Sequence, residues 1–170
     1  MVTNTKLSDK KSKSIISPWL AAAVLGAAIA GVSCGPSEPP ADQRIEAENA
    51  SLDGTHTIDT DPGGFSGEGF VNYRDEGSII WEVTISLTGT YELVFGYAIH
   101  DGDVRPLKLF VDDVEVEEAN LDFKGAGIST WTEESHKLTL DEGVRNIRVT
   151  STGSSGANID YLDIKYVDEE

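Results

Sequence analysis

Three carboxylates carry the first chemistry legible in this chain: Glu46 and Glu48 in the segment RIEAEN, and Asp160 in ANIDYLDIKY. Strand side chains alternate between faces, so Glu46 and Glu48 share one side. By the same rule Asn158, Asp160, Leu162, Ile164 and Tyr166 share one side of the second segment. Leu162 and Ile164 mark that side as the core face, and an unpaired carboxylate in register with core residues is costly. Two arrangements would relieve the cost. Either a hard cation with oxygen ligands, of which calcium is the common case, stands among the three, or each is solvated or paired with Arg or Lys.

Catalytic chemistry finds less support. There is no nucleophile elbow, since residues 64–68 read GFSGE,. Gly64, Gly67 and Gly69 do not form a phosphate loop, because no strand-to-helix transition and no Lys-Ser/Thr pair follows,. His56, His100 and His136 lack metal-site spacing, and Asp59, Asp61 and Glu68 lack the EF-hand pattern,. With 30 Asp+Glu in the chain, acid abundance is no evidence for a glycosidase pair. The sequence reads as a non-enzyme.

The elements that must position these residues are strands. Ile79, Trp81, Val83, Ile85 and Leu87 alternate with polar neighbours, which makes Trp81 a core residue,. Tyr91, Leu93, Phe95 and Tyr97 follow in the same manner after the turn TGT, then LKLFV, WTEESHKLTL and VRNIRVTS. Gly, Asp and Pro turns separate about nine short strands, with no amphipathic helix,. The pattern predicts an all-β fold, a jelly-roll β-sandwich of two antiparallel sheets.

The first 33 residues read as an export signal rather than part of the fold. Lys6, Lys10, Lys11 and Lys13 precede the apolar run WLAAAVLGAAIAGVS, which ends at Cys34,. As the single cysteine, Cys34 forms no intramolecular disulfide,. Its place after small residues resembles a bacterial lipoprotein signal, with Cys34 lipidated and the membrane reached through that anchor. Cleavage after Ala30, or retention of Ser14 to Cys34 as a span, are the alternatives. Each exports the protein, to the cell surface or to the outer membrane and periplasm. Residues 34–43 form a Pro-rich spacer, residues 44–167 the domain, and residues 168–170 an acidic tail. Past residue 33 there are 9 Lys+Arg (13 less the four leader lysines) against 29 Asp+Glu (30 less Asp9), a net charge of −20. Such a surface repels nucleic acid and other polyanions.

In order along the chain, IEAENASL, GFSGEGFVNY, SIIWEVTI, GTYELVFGYA, RPLKLFVDD, a TW pair, LDEGVRNIRV and GSSGANIDYLDI together resemble the carbohydrate-binding modules of families 6 and 35. The resemblance covers residues 44–167 and implies a galactose-binding-like jelly roll. It implies a structural calcium held by Glu46, Glu48 and Asp160, and binding of a polysaccharide or oligosaccharide without catalysis. It also implies a sugar site at one end of the sandwich, from Tyr73, the loop 125–131 with Trp131, and Asn158, with Arg105 adding a charge-assisted bond. Pyranose C–H faces stack on aromatic rings, and an Asn amide both donates to and accepts from neighbouring hydroxyls. This chain has Ile128 where the family usually has a tryptophan. A calcium-stabilised surface or adhesion module without a working sugar site is therefore the alternative function.

Overall fold

The alternation read along the chain becomes ten strands in a computed structural model that describes residues 38–119, 121–153 and 155–167. They are β1 (Gln43–Glu46), β2 (Ser51–Asp59), β3 (Phe70–Ile85), β4 (Gly89–Ala98), β5 (Val104–Val111), β6 (Val114–Glu115), β7 (Leu121–Lys124), β8 (Thr132–Leu140), β9 (Gly143–Ser151) and β10 (Asn158–Tyr166). A single 3-10 turn, Ala47–Asn49, joins β1 to β2. All pairings are antiparallel, in the order β6-β5-β9-β3-β10-β4-β8, with β1 on β10, β2 on β3 and β7 on β5.

One strand makes the two layers continuous. The later part of β3, Ser78 to Ile85, pairs with β9, whereas Val71 and Asn72 at its start pair with β10. The chain thus passes from one layer into the other along a single strand, and the jelly roll is a sheet curled on itself. Alternation begins at Ile79 in the sequence, but the strand begins at Phe70. β2 holds the polar stretch in register, pairing His56 with Tyr73 and Gly54 with Gly77 across a bulge.

The core lies between the layers. Trp81, Leu93, Phe95, Leu109 and Phe123 are buried there. Each contributes on the order of 1.5–3 kcal/mol through removal from water.

A bulge in β10 changes which residues face that core. Ile159 pairs with Tyr97 and Tyr161 with Gly96, so Asp160 is the extra residue between two consecutive partners,. Ala157 and Ile159 before the bulge, and Leu162 and Ile164 after it, all join the core. The expectation that Asn158 and Asp160 share a face with Leu162 and Ile164 is corrected here. Asn158 and Tyr161 belong to the outer face, and Asp160 sits in the kink.

Candidate functional site

The kink delivers Asp160 to the two glutamates. Glu46 ends β1 opposite Tyr161, and Glu48 follows in the 3-10 turn. Between them stands the 61–69 loop. The Ser66 N–H donates to both Asp160 oxygens (2.9 and 3.1 Å), and its hydroxyl donates to Glu46 Oε2 at 2.7 Å. The Glu68 N–H donates to Glu48 Oε1 at 2.8 Å. Gly67 has φ +66°, and a Cβ there would collide with the Glu48 carboxylate. Loop and carboxylates are therefore fitted to one another, and only glycine suits that position.

Arg44 attracts Glu46 from a distance, but no cation stands among the three carboxylates. Asp160 is 3% exposed, and burial, together with Glu46 and Glu48, pushes its carboxyl up to about 6 against the donors of Ser66. Glu48 Oε2 is buried without a partner. Among the described residues no Lys or Arg forms an ion pair with any of the three. Ser66 spaces them apart, and no ready-made shell of three metal-ligating side chains exists among the described residues. The donor set is all oxygen, the chemistry that a hard cation takes. Glu46, Glu48 and Asp160 are the residues that could hold one.

Beside the cluster, on the outer face, lies an open hollow of about 360 Å³ lined by Gly96, Trp131, Thr132, Glu133 and Tyr161. Glu133 pairs with Gly96 in register, and Gly96 pairs in turn with Tyr161, so the three form one row across β8, β4 and β10. Gly96 leaves room for the Tyr161 ring, which lies where a Cβ would stand. The ring is fixed twice more. Its hydroxyl donates to Glu133 Oε1 at 2.8 Å, and the Arg44 guanidinium lies 3.6 Å from the ring centroid while binding Asp163 at 2.6 and 2.7 Å. Burial and the Glu133 carboxylate push the Tyr161 hydroxyl up to about 12, so it remains a donor at neutral pH. Trp131 closes one side. It packs on Phe70 and Phe65 (5.1 and 6.3 Å between ring centroids), and its Nε1–H donates to the Gly63 carbonyl at 3.2 Å.

Of the residues expected to hold a sugar, the structure brings only Trp131 to this hollow. Tyr73 is a correction. It is fully buried beneath the 155–156 loop, with Gly156 against its ring and its hydroxyl shared between the carbonyls of Gly77 and Val149 (2.6 and 3.0 Å). No sugar can stack on it. Arg105 holds the same loop, donating to the Gly156 carbonyl (2.9 Å) and pairing with Asp103 (2.9 Å). Asn158, 7% exposed, lies opposite Asn72 and Ala98. Ile128 is half-buried in its loop. Cys34 and the export signal lie outside the described residues. Tyr161, Glu133, Gly96 and Arg44 escaped the sequence reading because alternation within a strand does not give the register that sets β8, β4 and β10 side by side.

No family model matches the chain. Curated relatives include the exo-beta-D-glucosaminidase of Amycolatopsis orientalis, 32% identical over 138 residues, which are 79% of this chain and 13% of that protein. The cycloisomaltooligosaccharide glucanotransferase of Niallia circulans is 34% identical over 133 residues, 74% of this chain and 13% of the relative. The chain thus spans about an eighth of the length of these relatives. Two solved structures match over their whole length. A family 35 carbohydrate binding module from Clostridium thermocellum aligns with TM-score 0.69 and 28% identity, over 75% of this chain and 100% of the module. One from Paenibacillus barcinonensis aligns with TM-score 0.67 and 29% identity, over 74% of this chain and 99% of the module. In fold and in sequence, then, this domain is similar to family 35 carbohydrate binding modules from one end of those modules to the other.

Proposed function

We propose that the domain binds carbohydrate without catalysing its cleavage, and that the sugar enters the hollow of Trp131, Glu133 and Tyr161. The observation that carries this reading is the row Glu133–Gly96–Tyr161, with Trp131 at its edge. An indole, a phenol hydroxyl and a carboxylate meet around an open space, and that combination suits a pyranose. The likeness to full-length binding modules, and to enzymes of which it spans only a small part, supports a binding rather than a catalytic role.

Calcium belongs to the same proposal, as a structural ion held by Glu46, Glu48 and Asp160. It would supply the positive charge that the cluster lacks. The chain's own part is to present oxygen donors from β1, the 3-10 turn and the β10 kink, and to order the 61–69 loop through Ser66 and Glu68. That loop also carries Gly63, which holds Trp131. Export and lipid anchoring at Cys34 complete the proposal and would display the module at a cell surface.

Isothermal titration against xylan, mannan, galactan, isomaltose and uronate oligosaccharides tests the reading, for the unaltered protein and for Trp131→Ala and Tyr161→Ala. Binding to one class, weakened by about 1–2 kcal/mol in either variant, is the expected result. Binding to none would favour the second reading, an adhesion module without a sugar site. The burial of Tyr73 and the isoleucine at 128 give that reading its specific support.

A further inference from the structure

Resting on the carbohydrate reading, we infer that the hollow selects pyranoses bearing a free amine, the glucosamine-type unit, over N-acetylated, neutral and uronate units. The argument is one of local charge. None of the five lining residues is basic, and the one ionisable acid among them, Glu133, is exposed at the rim. One of its oxygens, Oε1, accepts the Tyr161 hydroxyl at 2.8 Å, and among the described residues Glu133 has no cationic partner. The second oxygen is left for a ligand.

The cation against the hollow is spent. Arg44 is engaged by both oxygens of Asp163, with Lys165 Nζ at 3.9 Å from the same carboxylate, and the face of the guanidinium rests on the Tyr161 ring. Lys137 stands opposite Glu92 in register, further along β8. Glu46, Glu48 and Asp160 add negative charge on the β1 side. A uronate would bring a carboxylate towards Glu133 with no free cation to receive it. A hydroxyl or an acetamide could only hydrogen-bond there. A protonated amine makes a charge-assisted bond to Glu133 and brings the compensating charge itself. Tyr161, clamped by Arg44 and seated on Gly96, fixes the orientation of that carboxylate.

The test titrates the full chain with glucosamine tetramer, N-acetylglucosamine tetramer, isomaltotetraose and galacturonate tetramer, at about pH 6 and in about 0.15 M salt to screen bulk attraction. Variants are Glu133→Gln and, as a control for net charge, Glu142→Gln in the remote β8–β9 turn. We expect the amine tetramer to bind roughly three- to tenfold tighter than the other three, with the preference lost in Glu133→Gln and kept in Glu142→Gln. Tighter binding of a neutral, acetylated or uronate tetramer that still depends on Trp131 and Tyr161 overturns the amine inference and leaves the carbohydrate reading standing. Equal losses in the two Gln variants overturn it as well, since the attraction would then be non-specific. Binding of none of the tetramers, or binding indifferent to Trp131→Ala and Tyr161→Ala, removes the site itself.

Discussion

Replacing Asp160 with asparagine separates the cost of the carboxylate cluster from the benefit of a cation. The folded domain holds the Asp160 proton more tightly than the unfolded chain does, at about 6 against 3.8. A carboxyl raised in this way contributes stability that is fully present below the unfolded value and is lost as pH rises through about 6,. At about 1.4 kcal/mol per pH unit the loss is at most about 3 kcal/mol, and water reaching the cluster lowers it to about 1–3 kcal/mol. The amide of Asp160→Asn would keep an oxygen for the Ser66 N–H while removing the charge that Glu46 and Glu48 repel. In chelator, urea melts followed by the fluorescence of buried Trp81 should therefore show unaltered protein losing stability between about pH 4 and 7. Asp160→Asn should lose correspondingly less, ending about 1–3 kcal/mol more stable at neutral pH. With calcium the order should reverse. Saturation to one thousand times the dissociation constant stabilises the unaltered protein by about 4.1 kcal/mol, and the variant lacks a ligand. Two results would refute the reasoning: equal stability of the two proteins in chelator at neutral pH, or an unaltered protein that calcium does not stabilise.

Three further outcomes follow from the same structure. Gly96→Ala places a methyl group against the Tyr161 ring and should weaken glycan binding about fivefold while lowering stability by about 1 kcal/mol, read by titration and melting of one preparation. Tyr73→Phe removes the hydroxyl shared by the Gly77 and Val149 carbonyls and should cost about 1–2 kcal/mol of stability, with glycan affinity unchanged. Cys34→Ala should move the protein from the membrane to the soluble fraction of cells that process lipoproteins; retention at the membrane would speak against acylation.

Much of the fold was legible because strand side chains keep a strict period. Trp81, Leu93 and Phe95 announce their burial by alternation alone, and Gly, Asp and Pro mark the turns between strands. That Glu46, Glu48 and Asp160 need company was legible from three like charges set among apolar segments, although the bulge, and not a face shared with Leu162 and Ile164, places Asp160. Bulges were not legible. One extra residue at Asp160 reverses the phase of β10, takes Asn158 off the core face and brings Ile159 onto it. Tyr73 misled for a steric reason. The resemblance assigns it to the sugar site, but Gly156, some eighty positions later, leaves the space into which its ring packs. Glu133 looked like any other acid of a solvated edge strand until its row across Gly96 to Tyr161 was in place.

The pairing of β1 with β10 also has a mechanical meaning. Gln43 lies opposite Ile164, Arg44 opposite Asp163, Ile45 opposite Leu162 and Glu46 opposite Tyr161, so the first strand enters where the last one leaves. Tension between the two ends of the domain pulls these strands apart like a zipper, rung by rung, rather than shearing all rungs together. The second rung is the doubly bonded Arg44–Asp163 pair, and the fourth adjoins the carboxylate cluster. A cation there would act as the stop at the bottom of the zipper, and a tethered module would owe its grip under load to that one strand pair rather than to the rest of the sheet.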